Sequence, residues 1–222
     1  MYYRDFPYML LPPKHFWLND HILLVYLSGA LLFLAGACIA FEKKLLPISL
    51  LLGTVLLLIF CFYFVPYELM TSSRYMHFGQ WENAAKELAL AGGAFILARR
   101  RVASLGTILF ALTIVSFGID HFLFAKEAAG YIPAWIPYHL FWMYLTGTAL
   151  LGSGIAIILK IRVPLIAALL GTMILIWVII LHIPKVIAAG AGDSGGEITS
   201  AFLALAYCGT AFVIAGVGKK WP

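Results

Sequence analysis

Long apolar runs, each closed by a small group of charges or prolines, constrain this chain more than any other feature. They cover residues 21–41, 45–65, 82–98, 103–125, 138–159, 163–183 and 197–217. A helix of about 20 apolar residues crosses the hydrocarbon of a bilayer, and lipid cannot satisfy a backbone polar group, so a spanning segment must be a helix or part of a closed barrel. The runs are continuous rather than alternating, which selects helices. Only 11% of the residues are charged and 63% are hydrophobic, against roughly 25% charged in a soluble domain. The expected fold is all-α: a polytopic membrane helix bundle of about seven transmembrane helices, forming a single membrane domain over 1–222. Residues 1–20 carry Asp5, Asp20 and several aromatics, so they do not read as a cleavable signal peptide.

Charge placement orders these spans. With seven of them, Lys43, Lys44, Arg99, Arg100, Arg101, Lys160, Arg162, Lys219 and Lys220 collect on one side, opposed only by Glu42. Asp5, Asp20, Glu68, Glu82, Glu87, Asp120, Glu127, Asp193 and Glu197 fall on the other. Basic residues mark the cytoplasmic side, so a bacterial-type inner (plasma) membrane would hold the N-terminus outside and the C-terminus in the cytoplasm. The net charge of +5 then sets topology and is no sign of nucleic acid. The bilayer itself is the first partner expected.

The chain also repeats. A shift of 118 residues carries His21 onto His139, Tyr26 onto Tyr144, Gly29 onto Gly147, Gly36 onto Gly154, Gly53-Thr54 onto Gly171-Thr172 and Pro66 onto Pro184. Repeat one is therefore 21–98, repeat two is 138–217, and 103–125 is an unmatched span between them. Three spans plus one restore the starting orientation, so the expected layout is a 3+1+3 parallel internal repeat. Gly29/Gly36 and Gly147/Gly154 each share one helix face, as close helix packing requires.

The polar chemistry lies on the acidic side. All six histidines, His15, His21, His77, His121, His139 and His182, fall on or near it. Neutral histidine carries protons and binds metals near neutral pH, and it also suits the lipid–water interface. Asp120 sits inside a span, where an ionisable group usually faces the bundle interior and marks a site. His121 follows it, and His21 and His139 are repeat equivalents. Asn83, Lys86 and Glu87 share one face of the third run. The loop 126–138, with two Ile-Pro pairs, Tyr131 and Trp135, is expected to break from helix and lie as a lid in the interface. Cys38, Cys61 and Cys208 lie inside apolar runs as small apolar residues. No metal-ligand spacing, haem-attachment motif or phosphate-binding glycine loop is present, and no metal is expected.

Residues 117–160, with FGIDHFLFA and then YIPAWIPYHLFWMYLTGTALLGSGIAIIL, resemble the DoxX-like family of integral membrane proteins. Asp120, His121, Pro133, Trp135, Pro137, His139, Tyr144 and Gly147 carry the resemblance. It covers about residues 103–217, and spans 1–3 look like a degenerate second copy without the leading helix. The resemblance implies a membrane subunit of a redox-linked system. It would bind a quinone or similar apolar molecule in an outward-facing pocket of Asp120, His121, His139, His21, Glu87, Trp135, Tyr144 and Tyr26. Electrons would come from a redox partner protein, since no bound redox centre is written in the sequence. Two other readings stay open. One is a small-molecule transporter, because the sugar-transporting SWEET proteins have a similar 3+1+3 layout; the other is a scaffold or assembly factor without small-molecule chemistry.

The orientation has a direct test. With Cys38, Cys61 and Cys208 replaced by alanine, a Ser104→Cys variant is expected to resist an impermeant thiol reagent added to intact cells. Labelling at that position would reverse the topology.

Overall fold

The computed structural model describes residues 22–70, 81–98, 102–190 and 196–217. His21 and the Arg99-Arg100-Arg101 group lie outside the described residues, as do Asp20, His15, Trp17 and His77. The described chain is helical, without strands. We number its helices α1 (Ile22–Ala40), α2 (Leu45–Met70), α3 (Glu82–Leu97), α4 (Val102–Leu123), α5 (Ala125–Ala128), α6 (His139–Ile158), α7 (Val163–Ala189) and α8 (Gly196–Val217). Five of these, α2, α4, α6, α7 and α8, are long and apolar enough to cross a membrane. The chain is thus a multi-pass helical membrane bundle. Helix α3 has 16 residues, about 24 Å at 1.5 Å per residue, and α1 carries a shorter apolar stretch, Tyr26–Ala40.

Two helices outrun the sequence expectation. The runs at 45–65 and 163–183 end near Pro66 and Pro184, and proline lacks the N–H that continues a helix. Both helices nevertheless continue, to Met70 and Ala189. Each absorbs the proline through one wide turn of π-helix just before it, Phe60–Phe64 and Val178–His182. There the amides of Val65 and Ile183 reach back five residues to the carbonyls of Phe60 and Val178. The extra residue in the turn relieves the clash that a proline ring makes with the preceding turn.

The entries to α2 and α7 are alike as well. Glu42 and Lys44, then Lys160 and Arg162, all adopt positive φ, between 43° and 58°. The amides of Lys43 and Ile161 close the two turns onto the carbonyls of Cys38 and Ala156, at 2.8 Å each. These irregularities lie 118 residues apart along the chain, in the register of the sequence matches. A Cβ on Gly53 would strike the Phe95 ring at 2.8 Å, and one on Gly171 would meet the Phe212 ring at 3.1 Å.

Helix α4 is the centre of the bundle. It packs along α3 on one flank and along α6 on the other. A Cβ on Gly92 would come within 2.7 Å of the Gly106 carbonyl oxygen, and one on Gly106 would collide with the Gly92 carbonyl. On the other flank, a Cβ on Gly118 would lie 2.6 Å from the Leu151 amide, and one on Gly154 would lie 2.8 Å from the Ala111 carbonyl. Thr113 Oγ1 donates to the Ala85 carbonyl at 3.1 Å and ties α4 to α3 again. Helices α3, α4 and α6 thus form one slab. Helices α7 and α8 pair with each other, and α8 also touches α3. Slab and pair join through Ile96, Phe110, Ile114, Leu150, Ile157, Val163, Ala167, Leu170, Tyr207, Ala211 and Ile214. On the far side of α3 lies α2, and α1 packs on α2.

The two glycine pairs part company here. Gly147 and Gly154 press against α4, whereas among the described residues a Cβ on Gly29 or Gly36 would meet nothing within 4 Å. Close packing within the described residues thus accounts for the first pair, and no described helix lies beside α1 as α4 lies beside α6.

This difference can be measured. Gly106→Ala forces the α3 and α4 backbones apart, and overpacking of this kind costs about 1–3 kcal/mol. Its thermal midpoint in detergent is expected to fall clearly. Gly29→Ala is expected to hold or slightly raise it, since alanine favours a helix by up to about 1 kcal/mol over glycine. Equal behaviour of the two variants would mean that α4 is not packed as described.

Candidate functional site

Where slab and pair separate, at the histidine end of the bundle, they leave a cavity of about 620 Å³. Helical spacing explains its wall. Ile114, Phe117, Asp120, His121 and Phe124 recur every three or four residues around α4, so they share a face. Met143, Thr146 and Leu150 do the same on α6, and Ser200, Leu203, Ala204 and Tyr207 on α8. Helix α7 contributes Met173, Ile174, Trp177, Leu181 and His182, and the start of α3 contributes Glu82 and Lys86. The wall is mainly apolar and aromatic, with few polar groups, as expected of a small-molecule site.

The roof is the segment after α4. It forms one turn of α-helix, Ala125–Ala128, and a tight 3-10 turn, Ala129–Tyr131, then leaves helix at Ile132-Pro133. The residue before a proline is pushed to extended backbone, and Ile132 has ψ of 133°. Ala125, Ala129, Ile132 and Ile136 pack onto Met143 as a small core of their own. Glu127, Ala128, Tyr131 and Ile132 line the cavity, so this segment borders it. Lys185 Nζ sits 4.2 Å from the centre of the Tyr131 ring and 3.9 Å from Glu197 Oε1. One ammonium therefore links the roof to α7 and α8.

The polar groups are individually constrained. Lys86 Nζ pairs with Glu82 Oε1 at 2.7 Å and donates to Asn83 Oδ1 at 3.1 Å. Glu82 and Lys86 line the same cavity as Asp120. Both Asp120 carboxylate oxygens are shielded and have no hydrogen-bond partner among the described residues. His121 Nδ1 donates to the Phe117 carbonyl at 2.7 Å. Because a carbonyl only accepts, Nδ1 carries the proton, and in the neutral ring Nε2 keeps a lone pair. His182 Nδ1 is buried and likewise has no hydrogen-bond partner among the described residues. Among the described residues, no three His, Cys, Asp or Glu side chains come together as a metal site.

Of the ligand-binding residues expected from sequence, the cavity brings together Asp120 and His121. Glu87 is completely buried in α3, outside the wall, and its carboxylate has no hydrogen-bond partner among the described residues. His139 lines a separate shallow recess with Ile136, Pro137, Tyr138, Leu140 and Phe141. Trp135 is 71% exposed, and Tyr26 and Tyr144 are also exposed, Tyr144 against the Phe122 ring at 5.7 Å. These four face outward from the bundle rather than into the cavity. His21 lies outside the described residues. His182, Trp177, Tyr207, Thr146 and Ser200 line the cavity without having been chosen as site residues. For His182 one signal existed: it lies two residues before Pro184, where the helix must widen. No family model, curated protein or solved structure compared with the chain matches it.

An unpaired carboxylate in a desolvated wall is costly. Asp120→Asn keeps the shape and removes the charge, so the ligand-free variant is expected to melt at a higher temperature than the parent at neutral pH. A lower midpoint would show that Asp120 has a stabilising partner in the folded chain.

Proposed function

We propose that this chain is a DoxX-like integral membrane subunit of a redox-linked system, and that it binds a quinone or similar apolar small molecule in an outward-facing pocket. The observation that carries this reading is the cavity itself. It is large enough for a substituted ring, walled by Phe117, Trp177, Met143 and Met173, and has Asp120 and His121 on one face. An apolar body would lie against those side chains while its head group meets the polar face. Electrons would be exchanged with a partner protein. In this reading α1 and α3 also span the membrane, giving seven spans in a bacterial-type inner membrane, N-terminus outside. The paired wide turns and the paired positive-φ entries support a 3+1+3 parallel repeat with α4 as the unmatched helix. Toward the basic end the apolar core of Ile157, Ala167, Leu170 and Ile214 closes the cavity, which favours a binding site over a transport path.

Organic extraction of protein purified from its native membrane tests this. A near-stoichiometric quinone-type molecule is expected in the extract. Ala204→Trp, which fills the cavity from α8, is expected to reduce retention on the order of tenfold with insertion unchanged. An extract without any ring compound would overturn the reading.

A further inference from the structure

The direction of hydrogen bonding in the cavity narrows the ligand further, and this step rests on the quinone-type reading above. Four of the wall's polar groups direct their own proton into the backbone. Thr146 Oγ1 donates to the Trp142 carbonyl at 2.7 Å, and Ser200 Oγ donates to the Gly196 carbonyl at 2.8 Å. His121 Nδ1 donates to Phe117 at 2.7 Å, and the Tyr207 hydroxyl donates to the Lys86 carbonyl at 3.4 Å. Each of these groups has only lone pairs left for a ligand.

The carboxylates deepen the same bias. Asp120, Glu82 and Glu127 are all acceptors when ionised, and Lys86 offsets only one of them through its pair with Glu82. Two of the three Lys86 N–H bonds are already directed at Glu82 and Asn83. The wall's remaining donors are Trp177, one N–H of His182 and the third N–H of Lys86, while the Tyr131 hydroxyl serves either way. Acceptors therefore outnumber donors, and among the described residues the two Asp120 oxygens have no partner to give up. A buried acceptor left unmatched is penalised by its whole desolvation cost, so such a site discriminates strongly in favour of a ligand that brings donors.

We propose that the cavity selects the hydrogen-bond-donating form of its ligand, the diphenol, with its hydroxyls on the Asp120 carboxylate and the His121 Nε2. The corresponding quinone presents two carbonyl acceptors to a wall of acceptors and is disfavoured. Anionic head groups are rejected by the same wall. The Asp120 carboxylate, without a hydrogen-bond partner among the described residues, would turn toward the incoming hydroxyl.

Anaerobic titration calorimetry of the full chain in lipid nanodiscs tests this with three ring probes and one amine. The probes are tetramethylhydroquinone, its dimethyl ether, tetramethylbenzoquinone and octylamine. The diphenol is expected to bind on the order of tenfold or more tighter than the ether and the quinone. Asp120→Asn, confirmed as folded by its helical circular dichroism and elution volume, is expected to shrink that preference by a similar factor. Quinone binding as tight as the diphenol overturns the donor inference and leaves the quinone-type reading standing. Amine binding without any ring binding keeps the donor rule and sinks the quinone-type reading. Binding of none of the four sinks both. A preference unchanged in Asp120→Asn removes Asp120 as the acceptor.

Discussion

Backbone contact between α4 and its two neighbours is what the rest of the bundle hangs on. In a bilayer, apolar side chains gain little by leaving lipid for one another, so helices associate through close fit and hydrogen bonds. Gly92 and Gly106 supply that fit between α3 and α4, and Gly118 and Gly154 supply it between α4 and α6. Thr113 adds a hydrogen bond across the first seam. Three helices so joined behave as one wall. The α7–α8 pair meets that wall through large side chains at the basic end and stands off from it at the histidine end. The cavity is the space that this difference in contact leaves. Its polar face on α4 inherits the rigidity of the glycine seams, because Asp120 and His121 lie in the last turns of the helix that they pin.

The helices were plain in the sequence because hydrophobic length alone determines a spanning segment. Their ends were less so. Pro66 and Pro184 looked like stops, and a wide turn carried each helix past its proline. The site was half legible. Asp120 announced itself because a carboxylate in an apolar run needs a reason to be there, and His121 came with it. Thr146, Ser200 and Tyr207 gave no such sign, since each satisfies a backbone carbonyl and blends into an ordinary helix. His139 and Tyr144 drew attention through the repeat, yet a register match fixes depth along a helix, not the direction a side chain faces. Which helix faces which is invisible in apolar runs of nearly uniform composition, so the contact of α3 with α8 could not be read from residues alone.

Glu87 shows a second level of the same economy of polar groups. It lies fully buried one turn along α3 from Asn83, away from the cavity wall. The Tyr207 hydroxyl on the neighbouring Lys86 carbonyl ties that turn of α3 to α8. Membrane interiors hold ionisable groups seldom, and where they do the groups tend to serve a pathway or a ligand.

Lys185 carries an obligation in two directions. Its ammonium lies over the Tyr131 ring of the roof and beside Glu197 at the start of α8. A cation that touches both couples them, and linkage requires each contact to respond to the loss of the other by the same free energy. A change at Tyr131 would therefore be felt at Glu197, and a change at Glu197 would be felt at the roof, through one side chain.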